Sequence, residues 1–192
     1  MHGSKNCAWP CHSYEFTKQA KRENIMLFVE DLSLFDVFYL ADPIDIANTI
    51  RQVVGLISLQ RSVDRKALVD ALLSREEMMS TAIGNGIAIP HVRQFGSESP
   101  EGLQEDIVMV AYLFEPVDWN APDGLPVHTL FLVLATDETR HLQILAEIAQ
   151  LASDEDFVEF LRTMPAKEAL IERIQQLEEK VDTEEISNSQ DS

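Results

Sequence analysis

Residues 75–91 read Arg-Glu-Glu-Met-Met-Ser-Thr-Ala-Ile-Gly-Asn-Gly-Ile-Ala-Ile-Pro-His and form the most informative pattern in the chain. Gly84 and Gly86 permit backbone angles that are closed to other residues. The apolar run at 87–89 predicts a short buried strand. Because Pro90 fixes its own φ and has no N–H to donate, we expect the strand to stop there. His91 should therefore lie at a sheet edge or in a cleft.

An imidazole presented in this way is compatible with three kinds of chemistry. The ordinary pKa of histidine lies near neutrality, so the His91 ring can serve as a general base, a metal ligand or a phosphoryl acceptor. The spacing of the surrounding residues does not choose among the three.

The same stretch resembles the phosphorylation-site signature of a known family. Ser80-Thr81, the run Ile83 to His91 and the upstream Arg75-Glu76 pair are similar to the fructose/mannitol-type (type 2) enzyme IIA domain of the bacterial phosphoenolpyruvate-dependent phosphotransferase system. That class includes the nitrogen-regulatory IIA proteins. The resemblance covers roughly residues 34–177 and implies a mixed sheet of about five strands sandwiched by helices.

The resemblance also implies roles for particular residues. His91 would accept a phosphoryl group from the phosphohistidine of the carrier HPr, with its Nε2 atom as the nucleophile. His141 and Arg75 would lie beside His91 and bind the phosphoryl oxygens. The other residues expected to shape the site through backbone or hydroxyl donors are Thr81, Gly84, Asn85 and Gly86. No metal or cofactor is implied.

Two further side chains near this signature need an interpretation. Val92 follows the histidine where the family prefers a small residue such as glycine, so we expect a tighter rim or an altered fit of the donor. Glu76 is interpreted as a solvated helix charge.

Independently of the resemblance, the periodicity along the chain predicts an α/β fold. Continuous apolar runs at 107–113 and 130–135 are typical of strands covered on both faces. Helical spacing follows Asp42, which we expect to cap a first helix, and Ser62, which we expect to cap a second. Further helices are predicted after Asp137, after Ser153-Asp154 and from Ala166 to about Leu177. Helices alternating with apolar strands predict a three-layer α/β/α sandwich.

The two ends of the chain carry less information. Residues 1–33 are expected to be poorly ordered, and Met26 is an alternative start to Met1. A Cys7, Cys11 and His12 cluster has too few ligands for an ordinary structural zinc site. The domain is predicted over 34–177, followed by an acidic disordered tail at 178–192.

Charge and hydropathy exclude several classes of function. The chain has 33 acidic and 15 basic residues, for a formal net charge of −18, which argues against nucleic-acid binding because phosphate contacts require clustered Lys and Arg. An acidic surface favours partners that are basic around their own active sites. No apolar run is long enough to insert into a membrane, and the sparse cysteines favour a cytoplasmic location.

Four functions remain open at this level. A phosphotransferase component phosphorylated by HPr with a regulatory, nitrogen-type role is the leading hypothesis, and its partner would be a regulatory target protein. A sugar-specific IIA protein would instead pass the group to a cysteine of a IIB protein. A binding module with the same fold would transfer nothing. A metal site formed by His91 and His141 lacks visible carboxylate or cysteine partners.

Overall fold

The computed structural model describes residues 35–57, 64–92 and 106–188. The predictions for residues 1–33, for the cysteine cluster and for Ser62 lie outside these ranges. The whole of the 75–91 signature lies within them, as does His141.

A six-stranded mixed sheet forms the centre of the described chain. Its strands are β1 (Phe35–Leu40), β2 (Ala82–Gly84), β3 (Ile87–Ala88), β4 (His91–Val92), β5 (Ile107–Val117) and β6 (Val127–Leu134). They are ordered β1-β5-β6-β3-β2, and β4 also pairs with β6. β6 is antiparallel to β5 but parallel to β3 and β4. The end of the 75–91 signature therefore lies alongside β6.

Helices cover both faces of the sheet. They are α1 (Ile46–Leu56), α2 (Arg65–Met78), α3 (Glu138–Leu151), α4 (Glu155–Arg162) and α5 (Lys167–Asn188). One apolar cluster joins sheet residues to α1 and α2, with Ile50 and Leu72 as buried members. A second cluster joins the opposite face to the other three helices, with Ile148 and Phe157 as members. The predicted three-layer α/β/α sandwich is confirmed.

The strands follow the predicted apolar runs, with one addition. Every residue of β6 is buried, as expected for a strand covered on both faces. The sheet has six strands rather than about five, because the chain resumes pairing directly after Pro90. His91 therefore belongs to a two-residue strand, although Pro90 interrupts the strand before it, as the sequence predicted.

The helix starts show which carboxylate acts as the cap. Asp137 and Asp154 accept backbone N–H groups at the starts of α3 and α4, and both helices begin where the sequence predicted a helix start. The predicted cap of α1 was wrong by three positions, since Asp45 rather than Asp42 accepts from the backbone N–H of Asn48, at 2.7 Å. Asp64 caps α2.

The last helix is longer than predicted. α5 continues to Asn188, so the expected disorder does not hold for residues 178–188. This segment is rich in Glu, and the high intrinsic helix propensity of Glu favours continuation of the helix. Within the described residues, no helix is long and apolar enough to cross a membrane.

Candidate functional site

His91 lies where the 75–91 signature rejoins the sheet. The Pro90 carbonyl accepts a hydrogen bond from the backbone N–H of Val133 at 3.0 Å, and His91 itself pairs with Val133 of β6. These contacts fix the backbone on both sides of the histidine Cα. The His91 residue is half-buried, so its ring is neither sealed in the core nor free on the surface.

The ring of His91 is held in one tautomer. Its Nδ1 atom lies 2.7 Å from the carbonyl oxygen of Ile89. A carbonyl oxygen can only accept, so Nδ1 carries the proton and Nε2 retains its lone pair. The backbone of the signature therefore leaves Nε2 as the nucleophilic nitrogen of the ring.

Arg75 lies against that same nitrogen. Its Nε–H donates to His91 Nε2 at 3.2 Å, and its Nη1 donates to the carbonyl oxygen of Met79 at 2.7 Å. Arg75 stands in the last turn of α2, and the bond to Met79 fixes the plane of its guanidinium. The structure thus brings a planar cation with several N–H donors to the reactive side of the His91 ring.

His141 completes the group. It lies in the first turn of α3 and is only 2% exposed. The centroids of the His91 and His141 rings are 5.1 Å apart, with an angle of 60° between their planes. The three residues that the resemblance singled out, His91, His141 and Arg75, therefore lie together, although they come from three separate elements.

Glu76 has a structural task that the sequence analysis missed. Both of its carboxylate oxygens accept hydrogen bonds from Thr81, one from the backbone N–H at 2.8 Å and one from the hydroxyl at 2.5 Å. The carbonyl oxygen of Thr81 in turn accepts from the backbone N–H of Ile89 at 3.0 Å. Glu76 thus connects the end of α2, which carries Arg75, to the segment that holds the His91 ring. The predicted solvated role of Glu76 was wrong.

The remaining residues expected to shape the site fall into two groups. Thr81 lies close to it through its contact with Ile89. The turn formed by Gly84, Asn85 and Gly86 lies farther away along the sheet. Ile87 pairs with Thr129 whereas His91 pairs with Val133, a separation of roughly 13 Å along β6 at about 3.3 Å per residue.

That turn makes its own set of contacts. Asn85 donates its backbone N–H to Asp123 Oδ2 at 2.7 Å, and Asn85 adopts a positive φ of 55°. The carbonyl oxygen of Gly86 accepts from the backbone N–H groups of His128 and Thr129, at 2.8 and 3.1 Å. Burial of the His128 ring, and secondarily the positive charge of Arg162, lowers the pKa of His128. We therefore assign the turn to the scaffold at the far end of the sheet.

Val92 does not occlude the site. It is 6% exposed and belongs to the apolar cluster beneath α1 and α2. Adjacent residues of a strand point to opposite faces, which directs the Val92 side chain away from the His91 ring. The tighter rim expected from this substitution is therefore not observed.

Large apolar side chains are exposed on residues that are close to Arg75 and His141 in the sequence. Met78 and Met79 follow Arg75 at the end of α2 and are 76% and 68% exposed, while Leu142, which follows His141, is 53% exposed. Methionine surfaces adapt to different partner shapes. Among the described residues, no group of three or more His, Cys, Asp or Glu side chains is arranged to hold a metal ion.

The sequence of the chain also matches a known protein family. The model described as "Phosphoenolpyruvate-dependent sugar phosphotransferase system, EIIA 2" matches residues 37–177, which contain all three grouped side chains.

Relatives and solved structures agree with that match. The chain is 39% identical to a nitrogen regulatory protein of Pseudomonas aeruginosa, over 63% of this chain and 77% of the relative. It is 32% identical to the fructose-specific EIIABC component of Bacillus subtilis, over 67% of this chain but 20% of that longer protein. The crystal structure of the nitrogen regulatory protein IIA-Ntr from Neisseria meningitidis shares the fold, with a TM-score of 0.65 and 24% identity, over 76% of this chain and 99% of that one.

Proposed function

Because the chain belongs to the EIIA type 2 family of the phosphoenolpyruvate-dependent sugar phosphotransferase system, we propose that it accepts a phosphoryl group on His91 from an HPr-type phosphocarrier. The observation that carries the proposal is the hydrogen bonding of the His91 ring. Nδ1–H donates to the Ile89 carbonyl oxygen, so the lone pair lies on Nε2, where it accepts the Arg75 Nε–H.

The transfer exchanges one nitrogen–phosphorus bond for another. His91 Nε2 attacks the phosphorus, an Nε2–P bond forms, and the bond to the donor histidine breaks with its electron pair returning to the donor nitrogen. The His91 ring keeps its Nδ1 proton and becomes positively charged. The Ile89 carbonyl oxygen, 2.7 Å away, stabilises that charge without moving.

Arg75 and His141 act on the phosphoryl oxygens. In the resting site the Arg75 Nε–H donates to Nε2, and the incoming phosphorus displaces this contact. The guanidinium then lies beside the negatively charged oxygens, and the nearby His141 ring supplies a further donor. Phosphoryl transfer requires mainly positioning and charge stabilisation from a protein, so these residues are sufficient for the step.

The surface around the site supports docking of a protein donor. Met78 and Met79, which follow Arg75 in the chain, and Leu142, which follows His141, supply exposed apolar area. The formal net charge of −18 favours a carrier that is basic around its own phosphohistidine, since complementary charge accelerates encounter. A cascade that starts from phosphoenolpyruvate also implies the cytoplasm as the compartment.

We propose a regulatory role for the phosphorylated and unphosphorylated forms. The relatives at 39% and 36% identity, from Pseudomonas aeruginosa and Bradyrhizobium diazoefficiens, are both named nitrogen regulatory proteins. A phosphate on His91 adds about −1.5 to −2 charges to the site. That change alters the affinity of any partner that binds over Met78 and Leu142.

The direct test is phosphorylation in a reconstituted cascade. The protein is incubated with phosphoenolpyruvate, enzyme I and HPr, and intact mass is followed. We expect the mass of one phosphoryl group to be added, to be lost in acid, to persist in base and to be absent in His91→Ala. An absence of any gain with cognate carriers would leave the fold as a binding module.

A second step separates regulation from transport. Purified IIB proteins and sugars are added to the phosphorylated protein, and loss of the phosphoryl group is timed against hydrolysis. A regulatory protein retains the group under these conditions. Rapid transfer to a IIB cysteine would instead assign it to sugar uptake.

A further inference from the structure

A largely buried ion pair involves Arg140, the residue that precedes His141. Asp106 Oδ2 and Arg140 Nε are 2.6 Å apart, and the two side chains are only 10% and 12% exposed. The Arg162–Glu159 pair has a similar geometry, with 3.1 Å between Nε and Oε1, but its side chains are 43% and 75% exposed. Two charges taken out of water in this way carry a desolvation cost, so the Asp106 pair is poorly explained as a simple stabilising contact.

Asp106 also uses its second oxygen. Oδ1 accepts from the backbone N–H of Thr136 at 2.8 Å and from its hydroxyl at 2.9 Å. Thr136 and Arg140 flank Asp137, the cap of α3, whose side chain accepts from the backbone N–H of Arg140 at 2.9 Å. One carboxylate therefore holds the first turn of α3 on both sides of its cap.

Asp106, whose carboxylate holds the first turn of α3, also lies next to the sheet. Asp106 immediately precedes β5, and Ile107 pairs with Leu134 at the end of β6. β6 also pairs with His91 through Val133. The orientation of the first turn of α3 is thus fixed relative to the strand that carries the His91 backbone.

His141 follows Arg140 in this first turn of α3. Its backbone N–H donates to the Asp137 carbonyl at 3.0 Å, so its ring moves with the turn as a unit. The distance of 5.1 Å between the His91 and His141 rings depends on that orientation.

We infer that Asp106 and Arg140 are positioning residues, which hold the His141 ring against His91 for phosphoryl transfer. The inference rests on the proposed function of His91 and adds two side chains to the three that are grouped at the site. Misplacement of a reacting group by about 1 Å costs on the order of 100-fold in rate.

The test is a double-mutant cycle on the rate of transfer from phospho-HPr. We expect Asp106→Ala to lower the maximal rate by about 10- to 100-fold while the KM for phospho-HPr changes little. In a His141→Ala background the same substitution should have almost no further effect, because Asp106 acts through His141. Equal reductions in both backgrounds, or no reduction in either, would overturn the inference.

Conservative variants separate positioning from folding. Asp106→Asn keeps acceptor capacity toward Thr136 but loses the charge, and should lie between wild type and Asp106→Ala. Arg162→Gln removes the exposed pair and should leave the maximal rate unchanged. If Asp106→Ala does not fold, Asp106→Asn and Arg140→Lys replace it in the same cycle, with the same criterion.

A second readout is independent of transfer. Nuclear Overhauser contacts between the ring protons of His91 and His141 should be present in the wild type and in Arg162→Gln, and weakened in the Asp106 variants. Unchanged contacts in those variants would contradict positioning. If no carrier phosphorylates the wild type, the proposed function fails, and the ring contacts still decide whether Asp106 positions His141.

Discussion

Replacing Gly86 with alanine should destabilise the protein far more than the same replacement at Gly124. The two glycines have nearly equal φ angles, 75° and 72°. An alanine in this region of backbone space costs about 1–2 kcal/mol. At Gly124 a Cβ meets nothing within 4 Å, so this conformational cost is the whole effect.

At Gly86 the new Cβ would also collide with a buried ring. It would lie 2.4 Å from Cδ2 and 2.6 Å from Nε2 of His128. Relieving such an overlap in a packed interior costs about a further 1–3 kcal/mol. We therefore expect a loss of about 2–5 kcal/mol for Gly86→Ala, measured by urea unfolding, against about 1–2 kcal/mol for Gly124→Ala.

The cause of the difference is tested by removing the ring. In a His128→Ala background, the cost of Gly86→Ala should fall by the overlap term of about 1–3 kcal/mol. The transfer rate of folded Gly86→Ala should stay close to that of the wild type, because the turn lies far along β6 from His91. Equal costs at both glycines, or no rescue by His128→Ala, would refute the reasoning.

Three further predictions concern residues near the site. Arg75→Lys should slow phosphoryl transfer about 10- to 100-fold with little change in unfolding, since a single ammonium nitrogen does not reproduce the planar group that reaches His91 Nε2 and the Met79 carbonyl from two separate nitrogens; quench-flow measurements that give the wild-type rate would contradict this. Glu76→Gln should lower the free energy of unfolding by about 1.5–3 kcal/mol, because the amide replaces one of the two oxygens that accept from Thr81 with an NH2 group and leaves the other uncharged. Its exposed neighbour provides the control, since Glu77→Gln should leave that free energy unchanged. Burial raises the pKa of Glu147 from 4.5 to about 8, while the positive charge of Arg140 opposes this rise and the negative charge of Glu178 adds to it. The contribution of the protonated Glu147 carboxyl to the free energy of unfolding is therefore complete below about pH 4.5 and is lost as the pH rises through about 8. Unfolding free energies measured from pH 5 to 8 should therefore decline more steeply for the wild type than for Glu147→Gln, and parallel profiles would exclude this origin.

The elements that depend on local pattern were predictable from the sequence. The apolar runs of β5 and β6 and the caps at Asp137 and Asp154 are visible within a few residues of chain. The sequence did not predict which of Asp42 and Asp45 caps α1, because both carboxylates precede the helix. Only the hydrogen bond from the Asn48 N–H distinguishes them. β4 was missed because it consists of two residues that become a strand only by pairing with distant β6.

Some residues of the candidate site were also predictable from the sequence, and others were not. His91, His141 and Arg75 were predicted from a resemblance that covers the domain, and the structure brings them together. Asp106 carried no signal, since it follows a polar segment and its partner Arg140 lies 34 residues farther along the chain.

The most direct test of the account asks which nitrogen of which histidine carries the phosphorus. Phosphorylated protein with ¹⁵N-labelled histidine is analysed by ¹⁵N–³¹P correlation. We expect a single coupling at Nε2 of His91, with Nδ1 still protonated toward the Ile89 carbonyl. Phosphorus on Nδ1, or a phosphohistidine that persists in His91→Ala, would contradict the assignment of His91 Nε2 as the acceptor.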